Sequence, residues 1–168
     1  MSDFLEPVGS DAAFFARMAE LGKNRDAAVF KLRCRLPTQG RADMVAAATP
    51  TLSIVLKAYA SGGENTLHAH HNEDHAFIVL QGFATFYGER DAVLGKVGRL
   101  EGIMIPQGAL YRFEAGTEEP LVLLRVGSIL PGTQNEGSRR SADGSVNDSF
   151  SAKNKTVELI LSADRMFG

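Results

Sequence analysis

Beyond Pro50 the chain breaks into short strand-like runs separated by glycine and proline, and this punctuation restricts the available folds more than any other feature. The runs cover residues 51–59, 66–70, 75–80, 84–87, 102–105, 110–115 and 121–126. Between them fall Gly62-Gly63, Gly82, Gly88, Gly95, Gly98, Pro106-Gln107-Gly108 and Gly116. Short strands so spaced, with no helical run among them, predict an antiparallel all-β sandwich or barrel. At 168 residues the chain is long enough for one domain with a substantial core and no need of disulfides or a structural metal.

The flanks read differently. Ser10 is a natural N-cap, residues 11–21 place Phe14, Phe15, Met18 and Leu21 on one helical stripe, and Gly22 is a stop, which predicts one short helix. Residues 28–36 alternate Ala28, Phe30, Leu32, Cys34 and Leu36 with Val29, Lys31, Arg33 and Arg35, the pattern of a peripheral strand with a wet basic face. Residues 131–155 are rich in Gly, Ser, Asn and Asp and predict a flexible or partner-draped arm, after which Val157, Leu159 and Leu161 regain apolar alternation. The expected organisation is a single domain in three parts: helix and peripheral strand (1–50), barrel core (51–130), polar arm and terminal segment (131–168). An exposed Phe14-Phe15 pair together with the polar arm makes a homodimer the expected assembly.

Eighteen Lys and Arg against twenty Asp and Glu provide no excess positive field for nucleic acid or an anionic membrane. No apolar run approaches the ~20 residues of a spanning helix, and Asp3 and Glu6 stand where a secretory leader carries basic residues. A single cysteine, Cys34, forms no intrachain disulfide and reads as a buried inert thiol. These features predict a cytoplasmic protein with a small-molecule partner, no nucleic acid and no membrane. Phosphate-cradling glycine loops, Cys-x-x-Cys pairs and Gly-x-Ser-x-Gly elbows are absent from the sequence.

All four histidines fall within eight residues: His68, His70, His71 and His75. In a strand, residues two apart share a face, so His68 and His70 aim at one point while Ala69 faces away. His75 opens the next run on the same face as Phe77 and Val79 and brings a third imidazole, a set suited to a transition metal with open positions. His71, Glu73 and Asp74 fall in the intervening turn and read as solvent-facing or supporting residues. The segment resembles the first motif of the cupin superfamily: Gly62, five residues, His68-Ala69-His70, four residues, His75 in the place of the family's Glu, six residues, Gly82. The second motif is represented by Pro106-Gln107-Gly108, with Leu100 at its leading Gly position, Tyr111 at its His position and Ala115 at its Asn position.

The resemblance implies a double-stranded β-helix, or jelly-roll, barrel with a site in its interior and one divalent transition metal on His68, His70 and His75. Iron is the first expectation, with Zn, Ni or Mn as alternatives. Tyr111 then ligates as a phenolate, donates a proton to substrate or packs as a core aromatic. Phe77 and Phe113 shape the pocket. Arg125, interrupting an aliphatic strand, either clamps a substrate carboxylate or pairs with an acid such as Glu118 or Glu119; Lys57 and Tyr59 pose the same question. Three neutral imidazoles leave the metal its full charge and favour a small anionic organic substrate. The implied function is a metalloenzyme, oxygenase chemistry first. The alternatives are a non-catalytic ligand-binding or sensory module and a metal-independent isomerase or epimerase.

Overall fold

The computed structural model of the chain describes residues 3–133, 139–154 and 157–168. One α-helix, α1 (Asp11–Leu21), precedes twelve strands among those residues, with a single 3-10 turn at Glu89–Asp91. The first six are β1 (Cys34–Gln39), β2 (Arg41–Ala48), β3 (Leu52–Tyr59), β4 (His68–His70), β5 (Glu73–Gln81) and β6 (Ala84–Tyr87). They are followed by β7 (Val93–Val97), β8 (Gly102–Ile105), β9 (Arg112–Ala115), β10 (Leu121–Ile129), β11 (Arg139–Ser141) and β12 (Ile160–Phe167). A five-stranded sheet in the order β2-β3-β10-β5-β8 faces a three-stranded sheet, β7-β6-β9, and two-stranded ribbons, β11-β4 and β1-β12, complete the fold. All pairings are antiparallel. This is a jelly roll.

The five-stranded sheet is buried on both faces. Tyr59, Phe77, Val79, Leu121 and Leu123 point into the barrel and meet Ala84, Phe86 and Phe113 of the small sheet. On the other face Ala42, Met44, Leu56, Ala58 and Val122 pack under Cys34, Leu36, Leu161 and Phe167 of the β1-β12 ribbon. Two-sided burial explains why the central strand β10 is apolar without alternation from Leu121 to Leu124. The motif glycines Gly62 and Gly82 both adopt left-handed backbone, φ +79° and +74°, which a side chain would strain.

Helix α1 starts on Ser10, whose Oγ accepts from the Ala13 N–H at 3.0 Å, and ends with the Gly22 N–H on the Met18 carbonyl. Its stripe does not stay open: Phe14, Met18 and Leu21 pack against Val45, Ala48 and Ile129, and Phe15 is half-buried. The peripheral strand begins later than its alternation predicts. Residues 28–33 form no strand and Val29 is 98% exposed, because β12 supplies a pairing edge only from Cys34 onward.

Strand β2, absent from the sequence reading, is an edge strand of the main sheet that bulges between Val45 and Ala47. Its polar residues Arg41 and Asp43 face the barrel interior while Ala42 and Met44 face the outer layer, a polarity opposite to that of an ordinary half-buried strand. The predicted arm is not free either. Residues 134–138 and 155–156 lie outside the described residues, but β11 pairs with β4 in the register Arg139↔His70 and Ser141↔His68. Residues 146–150 then run across the barrel mouth.

Candidate active site

Strands β4 and β5 deliver the histidines to the barrel interior, where His68 and His70 ring centroids are 5.3 Å apart and those of His70 and His75 4.3 Å. Glu73, the first residue of β5, lies two before His75 and therefore on its face; it is buried. Its Oε2 lies 3.0 Å from His75 Nε2 and 3.9 Å from His70 Nδ1. His70, Glu73 and His75 each bring a donor atom within 4.8 Å of the other two. His68 stands beside them. Its Nδ1 is 2.7 Å from the Thr66 carbonyl, which only accepts, so Nδ1 carries the proton and Nε2 is left as the ring's lone-pair atom.

The second oxygen of Glu73 looks the other way. Oε1 accepts from Arg125 Nη2 at 2.7 Å and from Ser53 Oγ at 3.4 Å, so Arg125 pairs with Glu73 rather than with Glu118 or Glu119. The same Nη2 sits 2.6 Å from His75 Nε2, while His75 Nδ1 is buried without a hydrogen-bond partner. Nε2 is thus shared between a guanidinium, which only donates, and the Glu73 carboxylate, which only accepts.

Tyr111, Phe77 and Phe113 form the apolar wall. The Tyr111 ring is 4.5 Å from that of His68 and 5.7 Å from that of Phe77, and Phe77 is 5.9 Å from Phe113. With Arg125, these residues line a cavity of about 210 Å³ running from the histidines to a mouth bounded by Phe14, Phe15, Asp148 and Phe150.

No protein-family model matches the sequence, and no curated protein is similar to it. Among solved structures the chain is similar to a conserved protein of Klebsiella pneumoniae with a double-stranded β-helix domain, at 17% identity and a TM-score of 0.55, over 63% of this chain and 91% of that one. It is also similar to Streptomyces Pac13, described as a nucleoside dehydratase, at 14% identity and a TM-score of 0.52, over 68% of this chain and 90% of that one. The chain has a cupin fold.

In this cupin barrel the electrostatics favour neutral imidazoles beside an ionised carboxylate. Burial holds His68 and His70 well below the usual histidine range, helped by the charge of Arg139 at His68 and by His75 at His70. Burial and Arg125 bring His75 down to about 4 against the opposing pull of Glu73. Burial by itself would raise Glu73, but Arg125 and His75 outweigh it and hold the carboxyl at about 2. Two neutral nitrogen donors and one carboxylate oxygen fit a divalent transition metal. Burial pushes the Tyr111 phenol up to about 12, so it is a proton carrier at neutral pH.

Sequence reasoning placed Glu73 in a turn because it started the strand at His75; carrying the alternation two residues back would have put it inward. Arg41, Asp43 and Arg139 were missed altogether. Arg41 and Asp43 pair at 3.3 Å along β2, but their other partners are remote: Asp43 pairs with Lys57, and Arg41 Nη2 donates to the Ser149 carbonyl. No local pattern marks such contacts. Among the described residues, no helix is long and apolar enough to cross a membrane.

Proposed function

We propose that this cupin is a metal-dependent enzyme acting on a small organic anion, with His70, Glu73 and His75 as the metal ligands and His68 Nε2 adjacent as a further nitrogen donor. The observation that supports the reading is the convergence of two neutral imidazoles and an ionised carboxylate at one end of an enclosed cavity. Two histidines and one carboxylate are the donor set of non-haem iron oxygenases, so a bound Fe(II) would supply oxygen activation and oxygen-dependent cleavage is the first reaction class. Within that frame the chain's own residues have separate tasks. Glu73 Oε1 holds Arg125 while Oε2 faces the ligand nitrogens. Phe77 and Phe113 exclude water. The protonated Tyr111 phenol holds a proton beside the histidines for transfer to substrate.

The test is metal per chain in the purified protein and in His70→Ala and Glu73→Ala, followed by oxygen uptake with a panel of organic anions. About one iron per chain, lost in both variants with the fold retained, is the expected result. Unchanged metal content in both variants overturns the ligand assignment.

A second reading draws on the 2.6 Å contact between Arg125 Nη2 and His75 Nε2, which uses the lone pair a metal would take. There the site works without metal: a histidine removes a proton and Tyr111 protonates the departing group, a dehydration like that named for the similarly folded Pac13. Activity that survives chelation selects this reading.

A further inference from the structure

The histidines form a row with a guanidinium at each end. Arg125 meets His75 at one end, and Arg139 Nη2 lies 3.2 Å from His68 Nδ1 at the other. The two arginines differ in their counter-charges. Arg125 has Glu73, whereas Arg139 has no carboxylate within ion-pair reach among the described residues. Arg139 is 7% exposed, lines the cavity, and its Nε has no hydrogen-bond partner among the described residues. Among the described residues the only other polar contact of its guanidinium is a long one, 3.5 Å, to Asn154 Oδ1. The His68 contact offers no acceptor, since that nitrogen's proton is committed to Thr66.

The wider charge balance has the same sign. Arg41, Lys57, Arg125 and Arg139 line the interior against Asp43 and Glu73, and the other two lining carboxylates, Asp11 and Asp148, stand at the mouth. Burial brings Arg139 down to about 10 and Lys57 to about 8, so both are cationic at neutral pH. A buried cation without a counter-ion is strongly unfavourable, and such charges persist where a ligand neutralises them. The cavity volume equals the liquid share of about seven waters, which limits the ligand to a compact molecule.

We infer that Arg139 is the receptor for a second anionic group on the substrate, which is therefore a compact organic dianion of dicarboxylate type: one anionic group at the His70–Glu73–His75 end and the other on the Arg139 fork. This rests on the cavity being the substrate site, as proposed above, and adds the substrate class. Arg139 belongs to β11, so the segment that covers the barrel mouth also carries the anion receptor, and substrate charge and cavity closure are coupled. A planar guanidinium matches a carboxylate with two parallel hydrogen bonds, which a lysine does not reproduce.

Calorimetric titration of the full chain as purified, with malonate, acetate and the neutral malonamide, tests this. Malonate is expected to bind saturably and more tightly than both others, and Arg139→Met to weaken it about thirty-fold or more. The unliganded Arg139→Met protein is expected to melt no lower than the parent, since it loses an uncompensated buried charge. Malonate binding no tighter than malonamide in the unmodified chain overturns the inference whether or not the variant folds. So does equal malonate affinity in Arg139→Met. Metal content separates the two proposals: malonate binding that depends on Arg139 in a protein that takes up no metal removes the metal reading alone, whereas a metal-loaded protein indifferent to malonate removes this one alone.

Discussion

Tyr111 and His68 exchange both backbone hydrogen bonds, the Tyr111 N–H to the His68 carbonyl at 2.9 Å and the His68 N–H to the Tyr111 carbonyl at 3.0 Å. This isolated bridge joins β4 to the segment that follows Pro106-Gln107-Gly108. It holds the phenol ring over His68, with the ring centroids 4.5 Å apart. Since the anchor is backbone, Tyr111→Phe is expected to keep the fold and the metal and to lose turnover on any substrate found. Loss of metal in that variant, measured by elemental analysis, would instead make the phenolate a ligand.

Gly127 has no room for a side chain: a Cβ there would overlap Glu73 Oε1 and come within 2.8 Å of Ser53 Oγ. Gly127→Ala should therefore displace the Glu73 carboxylate from Arg125 and from the histidines without altering a ligand. The expected outcome is reduced metal per chain with a barrel that still gives an all-β circular dichroism spectrum. Full metal content would show that Glu73 is dispensable.

Glu73→Ala removes the counter-charge of a buried arginine. Breaking a buried pair from one side costs about 3–5 kcal/mol, so urea denaturation of the metal-free variant should show a clearly lowered midpoint. Changing both residues, as in Glu73→Ala with Arg125→Met, should recover part of that loss, because no orphan charge then remains.

Acid sensitivity follows from the buried histidines. His68, His70 and His75 all have native pKa values below 6.5, so between that value and the native ones the unfolded chain binds more protons and stability falls as pH falls. In metal-free protein the slope should approach about 4 kcal/mol per pH unit if all three take up a proton on unfolding. Glu73 adds a further loss from about pH 4.5 down toward 2. Melting temperatures measured from pH 7.5 to 5 check this; a flat profile would mean that the histidines are solvated.

Residues 139–154 are latched to α1. Ser149 donates to Asp11 twice, Oγ to Oδ1 at 2.7 Å and N–H to Oδ2 at 3.3 Å. Asp11→Ala should cost about 1 kcal/mol and expose the segment, seen as faster limited proteolysis within 139–154 and weaker retention of a malonate probe. Unchanged cleavage would leave the closure to Arg41 and its contact with Ser149.

Much of the barrel was legible in the sequence because its cues are local. Turn glycines, two-residue alternation and the capping of α1 act within a few residues, and they located that helix and the strands β3, β6 and β8 to within a residue at either end. The histidine row was legible for the same reason, since i and i+2 on a strand share a face wherever the strand lies. Strand β2 was not: its inward residues are Arg41 and Asp43 and its outward ones Ala42 and Met44, a reversal that makes sense only once a second layer covers the outer face.

What the sequence determined by itself is therefore a jelly roll carrying imidazoles on its inner face. Tertiary structure decided the rest. It brought Glu73 to Arg125, Asp43 to Lys57, and Arg139 to His68 across 71 residues of chain. It also turned a polar arm into the cover of the cavity. Ion pairs and buried charges depend on distance in space and on exclusion of water, and neither quantity is written in the spacing of residues along the chain.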